Sequence, residues 1–381
     1  MKHLRARMIG AITGAAVGDA LGGAVEGYSP EQIAERHGGP ITGIVGPWHE
    51  DWRGARPMSP YHKGDGHITD DTLMTHALID VYERAGDHLS AFDIVDRLVP
   101  LLMREPRWIP ELEIETVILN RIFLAEKWMV LQGFYAHADP REAGVGNVVN
   151  CGAAMYMAPF GVVNAGDPSA AYAEAIDMAG AHQSSYGREA AGIVAASVAA
   201  GLAPGADGAA VIDAALDLAH DGTAAAIEAT VAAASAHGHG PGLREVLREA
   251  VRPFDTVGET YREPAMDARR PSRTRSIEEL PIALGLLAVL DHDPRALILE
   301  SVNYGRDCDS IATMAGAIAG AIHGLDAIPP EWVAGVSDGS RLDIVGAGER
   351  LADVAATIAR LDLERAERRL ALARARSEAL R

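Results

Sequence analysis

Glycine recurs every fourth residue along two widely separated apolar stretches, Gly10, Gly14, Gly18 and Gly22 near the start and Gly316, Gly320 and Gly324 far down the chain. A four-residue spacing lines one face of a helix. Glycine inside a helix costs about 1 kcal/mol relative to alanine, so two such stripes need a compensating gain, and close approach of two helix backbones supplies it. The first and last conspicuous segments are therefore expected to pack together, enclosing most of the chain in one body. Apolar periodicity over about 69–84, 90–103, 168–181, 187–202, 208–236, 242–251, 277–291, 294–302 and 309–324 reads as helices, with almost no alternating β-branched runs. The expected fold is all-α, a single compact multi-helix domain. The stretch 28–66, rich in Gly, Pro and Trp, lacks periodicity and is expected to be a long ordered loop.

Oxygen-bearing side chains gather at two helix starts. Asp307, Asp309 and Ser310 lie within four residues, just ahead of the second glycine stripe. Thr69, Asp70 and Asp71 repeat that chemistry ahead of Leu73, Ala77 and Leu78. Helix capping needs only one such residue, so three at each start suggest a metal instead. Carboxylate and hydroxyl oxygens suit Mg²⁺, Ca²⁺ or Mn²⁺ rather than zinc. The first glycine stripe ends at Glu26, before the turn-like Gly27-Tyr28-Ser29-Pro30, which places another carboxylate at a helix end.

Five segments carry a resemblance: GDALGGAVEG, ITDDT, CGAAMYMAPFG at 151–161, SIEELPIAL at 276–284, and NYGRDCDSIATMAGAIAGAIHG. In their order and approximate spacing the chain resembles the ADP-ribosylglycohydrolases. That family includes the dinitrogenase reductase-activating glycohydrolase and the ADP-ribosylhydrolases that remove ADP-ribose from arginine or serine. The likeness runs to about Trp332. It implies an all-α fold with two Mg²⁺ ions, or Mn²⁺, in a cleft. Carried over, Thr69, Asp70 and Asp71 would bind one ion and Asp307 and Ser310 the other, with Asp309 bridging. Glu26 would be the general acid or base, completing a catalytic set with Asp70 and Asp309. Residues 1–340 would form the catalytic domain, and 341–381 a helical extension packed on it or projecting from it. Asp19, in GDALGG, reads as a structural hydrogen-bond partner.

Substrate contacts implied by the likeness are Cys151, Gly152, Ala153 and Tyr156 in the 151–161 loop, with His182 and Arg306. Here the chain departs from the common pattern. Cys151 stands where Asn is usual, Tyr156 where Arg is usual, Ala181 precedes His182 in place of Thr, and Arg306 replaces a frequent Gly. A glycosidic reaction at the anomeric carbon passes through an oxocarbenium-like state, which needs a managed leaving group, an activated water and fixed hydroxyls. Three readings follow: release of ADP-ribose from a protein side chain or small acceptor, hydrolysis of a smaller N-ribosyl compound at the same site, or a non-catalytic ADP-ribose binder.

A formal net charge of −19, from 53 acidic against 34 basic residues, argues against nucleic acid as partner. Five arginines between Arg262 and Arg275 read as a solvated loop, with contact to a phosphate or to a protein substrate as the alternative. Two cysteines, both inside site motifs, give no disulfide framework and suit a reducing cytoplasm. No apolar run approaches the roughly 18 residues of a membrane span. The state is expected to be monomer or homodimer.

Overall fold

The computed structural model describes residues 2–53, 63–254 and 275–379. Its centre is the pair of glycine-striped helices, Lys2–Gly23 and Cys308–His323. They run antiparallel in backbone contact. A Cβ on Gly10 would lie 2.6 Å from the Gly324 carbonyl carbon, and one on Gly22 would lie 2.6 Å from the Asp309 amide nitrogen. Between these, Cβ atoms on Gly14 and Gly18 would overlap the carbonyl oxygens of Gly316 and Ala312. The interval of four therefore does what the spacing requires, removing side chains wherever the two backbones cross. Arg7 binds the far end, donating from Nε to the Ala321 carbonyl at 2.7 Å and from a terminal nitrogen to the Gly201 carbonyl. A cation there meets the negative ends of two helices.

The other helices wrap this pair and bury an alanine- and isoleucine-rich core. Several start on aspartate: Asp167, Asp207 and Asp293 each accept a hydrogen bond from the amide three residues on, and Pro168 and Pro294 occupy first helical positions. Described strands are confined to one antiparallel hairpin, Arg107–Ile109 with Ile114–Thr116. The architecture is a single compact all-α domain.

Two sequence expectations need correction. The interval 208–236 is two helices, Gly208–Leu218 and Asp221–His237, because Ala219 and His220 are extended and Asp221 takes φ +48°. Within 28–66, Pro30–His37 is a helix, started by a capping box between Ser29 and Gln32. It was hidden by its length of barely two turns. The arginines at 262, 269, 270 and 273 lie outside the described residues. Beyond residue 341 the chain forms one helix, Ile344–Ala379. Its first half buries Leu351, Ala352, Ala355 and Ile358 against the body, whereas Leu363, Leu370 and Leu372 are exposed.

Candidate active site

Because the central pair is antiparallel, the turn 24–27 after the first helix arrives beside the N-terminus of Cys308–His323. A reciprocal backbone pair fixes it there: Gly27 N–H donates to the Arg306 carbonyl at 2.7 Å, and Arg306 N–H to the Tyr28 carbonyl at 2.8 Å. Oxygens of Glu26, Asp307 and Asp309 consequently lie within 4.8 Å of one another.

The second acidic cluster is set by Asp19. From within the first helix its carboxylate accepts from the Thr69 amide at 3.0 Å, the Thr69 hydroxyl at 2.7 Å, the Thr72 amide at 3.1 Å and the Thr72 hydroxyl. Asp19 thereby caps the helix Asp70–Ala85 from another segment, while Thr69, at the N-cap position, makes no side-chain cap bond. Asp307, the corresponding residue of Cys308–His323, makes none either. Ordinary capping therefore does not account for the acids at either start. Asp71 is turned toward Asp309, and oxygens of Asp19, Asp71 and Asp309 also fall within 4.8 Å.

Both clusters open on one cleft of about 210 Å³, lined by Glu26, Asp70, Asp71, Asp307, Asp309 and Ser310 together with Cys151 and Gly152. Asp71 and Asp309 are almost completely buried. Burial first, then the neighbouring carboxylates, pushes both well above the usual carboxylate range. One oxygen of each, Oδ1, has no hydrogen-bond partner. Converging, buried, mutually repelling carboxylates beside a serine hydroxyl are a donor set that fits a hard divalent cation. Positive charge already present includes Arg121, 3.2 Å from Asp70 and also paired with Glu111.

The remaining expected residues are placed as follows. The Cys151 thiol lies in the cleft, 3.4 Å from Asp307 Oδ2 and 3.5 Å from Ser310 Oγ. Thr69 turns its hydroxyl to Asp19 and is not on the cleft wall. Ala153, Tyr156 and His182 are wholly buried behind the wall, with Tyr156 Oη 2.9 Å from His182 Nδ1. Burial lowers the His182 pKa to about 3, so its ring is neutral. Arg306 is also off the wall, forking onto Glu278 at 2.6 and 2.9 Å.

Sequence reasoning missed Glu126 and Asn150, which line the cleft, and Glu279, whose carboxylate approaches Cys151 and Asp307 within 4.8 Å. Asn150 directly precedes Cys151, and Glu279 is the second acid of SIEELP, so both had a signal. Glu126 lies in a segment without a motif, and only the fold brings it in.

Comparison with known proteins places the chain in a family. The ADP-ribosylglycohydrolase family model matches residues 1–367. A stretch of 70 residues is 39% identical to the uncharacterized protein YegU of Escherichia coli (strain K12), covering 18% of this chain and 21% of that protein. Another of 35 residues is 54% identical to human ADP-ribosylhydrolase ARH3, covering 9% and 10%. These matches thus span about a fifth or less of each curated relative. A solved ADP-ribosylglycohydrolase-related protein complex superposes over 93% of this chain and all of its own, with a TM-score of 0.55 at 22% identity, a likeness of fold. No helix among the described residues is long and apolar enough to cross a membrane. With its family model matched from residue 1 to residue 367 and the acidic cleft at its centre, the chain belongs to the ADP-ribosylglycohydrolases, a family of glycosidic hydrolases.

Proposed function

We propose that this protein is a Mg²⁺-dependent hydrolase that releases ADP-ribose from a modified side chain or small acceptor. The observation that carries this reading is the pair of buried, unpartnered carboxylate oxygens on Asp71 and Asp309, facing a cleft large enough for a sugar ring. Asp70, Asp71, Asp307, Asp309 and Ser310 would hold two ions, and Thr69, turned to Asp19, would hold the helix start in place. When bound, the ions would supply positive charge to fix vicinal ribose hydroxyls and to acidify the attacking water. Glu26, half-buried beside Asp307 and Asp309, would take the proton from that water through its carboxylate. Asp19 contributes by holding the helix start that carries Asp70 and Asp71. The Cys151 thiol, pushed up by burial and by Asp307, stays protonated and fills the wall.

A smaller N-riboside is the second reading, favoured by the cleft volume. At about 210 Å³ it lies below the roughly 300–1,000 Å³ typical of pockets that enclose drug-sized ligands. The test is product analysis by mass spectrometry on arginine- and serine-linked ADP-ribosyl peptides and on nicotinamide riboside, with Mg²⁺ or EDTA. Mg²⁺-dependent release of ADP-ribose, lost in Asp309→Ala, is the expected result. Turnover of the riboside alone selects the second reading, and turnover that survives EDTA overturns both.

A further inference from the structure

One buried acid in the cleft has no part in the chemistry above. Glu126 is 2% exposed and lines the same cavity as Glu26 and Asp70. Its Oε2 accepts from the Phe123 amide at 3.0 Å, which locks the side chain in one orientation. Its Oε1 stands against the bare face of Gly152, where a Cβ would come within 2.5 Å of it, so glycine at 152 keeps that oxygen open. Behind it, His182 Nε2 approaches Oε1 at 3.6 Å, too far for a hydrogen bond, and is itself buried without a partner. The histidine is held from the other side by the Tyr156 hydroxyl on Nδ1. The neutral imidazole is thus fixed with Nδ1 on the Tyr156 hydroxyl and Nε2 on the side of Glu126. Glu126 therefore lines the cleft with Oε2 anchored and Oε1 set between the face of Gly152 and His182.

We propose that Glu126 is a substrate-contacting residue whose Oε1 accepts a hydrogen bond from the ribosyl substrate, and that His182 and Tyr156 are positioning residues that hold it there. The ligand chemistry is a hydroxyl or N–H donor, from the ribose or from the leaving group. This inference rests on the ribosyl-hydrolase reading. It also gives His182 and Tyr156 a role in the site without placing them on its wall.

The experiment is calorimetric titration of ADP-ribose and of ADP-ribosyl-arginine into Mg²⁺-loaded full-length protein, comparing wild type with Glu126→Gln, Glu126→Asp and Tyr156→Phe. Thermal unfolding and Mn²⁺ binding by electron paramagnetic resonance serve as controls for folding and for the metal site. Losing this hydrogen bond is expected to weaken binding about tenfold in Glu126→Gln, with Mn²⁺ affinity unchanged and partial recovery in Glu126→Asp. Weakening of both ligands assigns the donor to the ribose; weakening of ADP-ribosyl-arginine alone assigns it to the leaving group. Tyr156→Phe is expected to cause a smaller loss and to shift the His182 ring nitrogen resonances. Wild-type affinity in a folded Glu126→Gln overturns this proposal alone. Absence of binding of both ligands by the wild type overturns the ribosyl reading and this proposal with it.

Discussion

Asp71 and Asp309 sit at the N-termini of two different helices, and their carboxylate oxygens come within 4.8 Å of each other in the buried cleft. Each leaves Oδ1 without a hydrogen bond, and burial with mutual repulsion holds both well above the usual carboxylate range, so folding brings two carboxyl groups together at a cost that the described side chains do not relieve at those atoms. A divalent cation should relieve this. Mg²⁺ or Mn²⁺ is expected to raise the melting temperature of EDTA-stripped protein by several degrees, following ligand linkage. Asp309→Asn should melt higher than wild type without metal, because one repelling charge is gone, and should show little further rise when Mg²⁺ is added. Differential scanning calorimetry with and without metal checks both. A metal-insensitive wild type would count against the metal-site reading.

The same convergence depends on the central helix pair. Gly14→Ala places a methyl group on the Gly316 carbonyl oxygen, and both atoms belong to backbones that cannot turn aside as a side chain can. Overpacking of this kind costs about 3 kcal/mol and displaces the partner helix. Since Cys308–His323 carries Asp309 and Ser310, Mn²⁺ affinity should fall together with stability. Gly240→Ala is the control: nothing lies within 4 Å of its Cβ position, and the substitution should be neutral or slightly stabilising by urea titration.

The legible parts of this molecule are those whose physical cause is local or periodic. Glycine every fourth residue reported a backbone crossing, and three oxygen-bearing residues at each of two helix starts reported more than a cap. Asp19, read as a structural hydrogen-bond partner, is found accepting from four donors on Thr69 and Thr72. What sequence did not convey is direction. His182 and Tyr156 lie in segments that border the cleft, yet both side chains turn inward to each other. Arg306 stands next to Asp307 in sequence, but its guanidinium pairs with Glu278 across the fold. Glu126 and the Arg121–Glu111 pair reach the site only through tertiary placement of an irregular stretch that has no period to read.

Arg306 has two opposed roles that mutation can separate. Its backbone takes φ +61°, a left-handed conformation that costs a non-glycine residue about 1–2 kcal/mol. Its side chain meanwhile makes a buried, forked pair with Glu278, which also accepts from Tyr304 at 3.0 Å. Removing one partner of a buried pair costs about 3–5 kcal/mol. Arg306→Ala should therefore be strongly destabilising, and Arg306→Gly less so by about 1 kcal/mol, because glycine accepts the turn that joins Arg306 to Gly27 and Tyr28. Equal stability of the two variants in chemical denaturation would show that the turn carries no strain.

His88 binds the C-terminal helix to the body and makes that contact sensitive to pH. Its Nδ1 lies 2.7 Å from Glu174, and its Nε2 lies 2.9 Å from Asp362 on the helix Ile344–Ala379. Asp87 next to it pairs with Arg365, which also reaches Asp362 at 3.1 Å. Hydrogen bonding to Glu174 is the largest cause of a rise in the His88 pKa from 6.5 to about 9. A raised folded-state value means that the protonated ring stabilises the folded protein fully below pH 6.5, and that this contribution is lost as pH climbs through about 9. Its size is about 2 kcal/mol once the partial exposure of His88 and Asp362 is allowed for. Wild-type protein should thus lose a few degrees of melting temperature between about pH 7 and pH 10, and His88→Gln should melt lower at pH 6 and lose less over the same interval. Trypsin should cut sooner at Arg365 and Arg368 under the conditions that deprotonate His88, because the helix beyond Asp362 is otherwise exposed. An unchanged cleavage rate across that interval would place the anchoring of this helix in its apolar residues, Leu351 to Ile358, and not in His88.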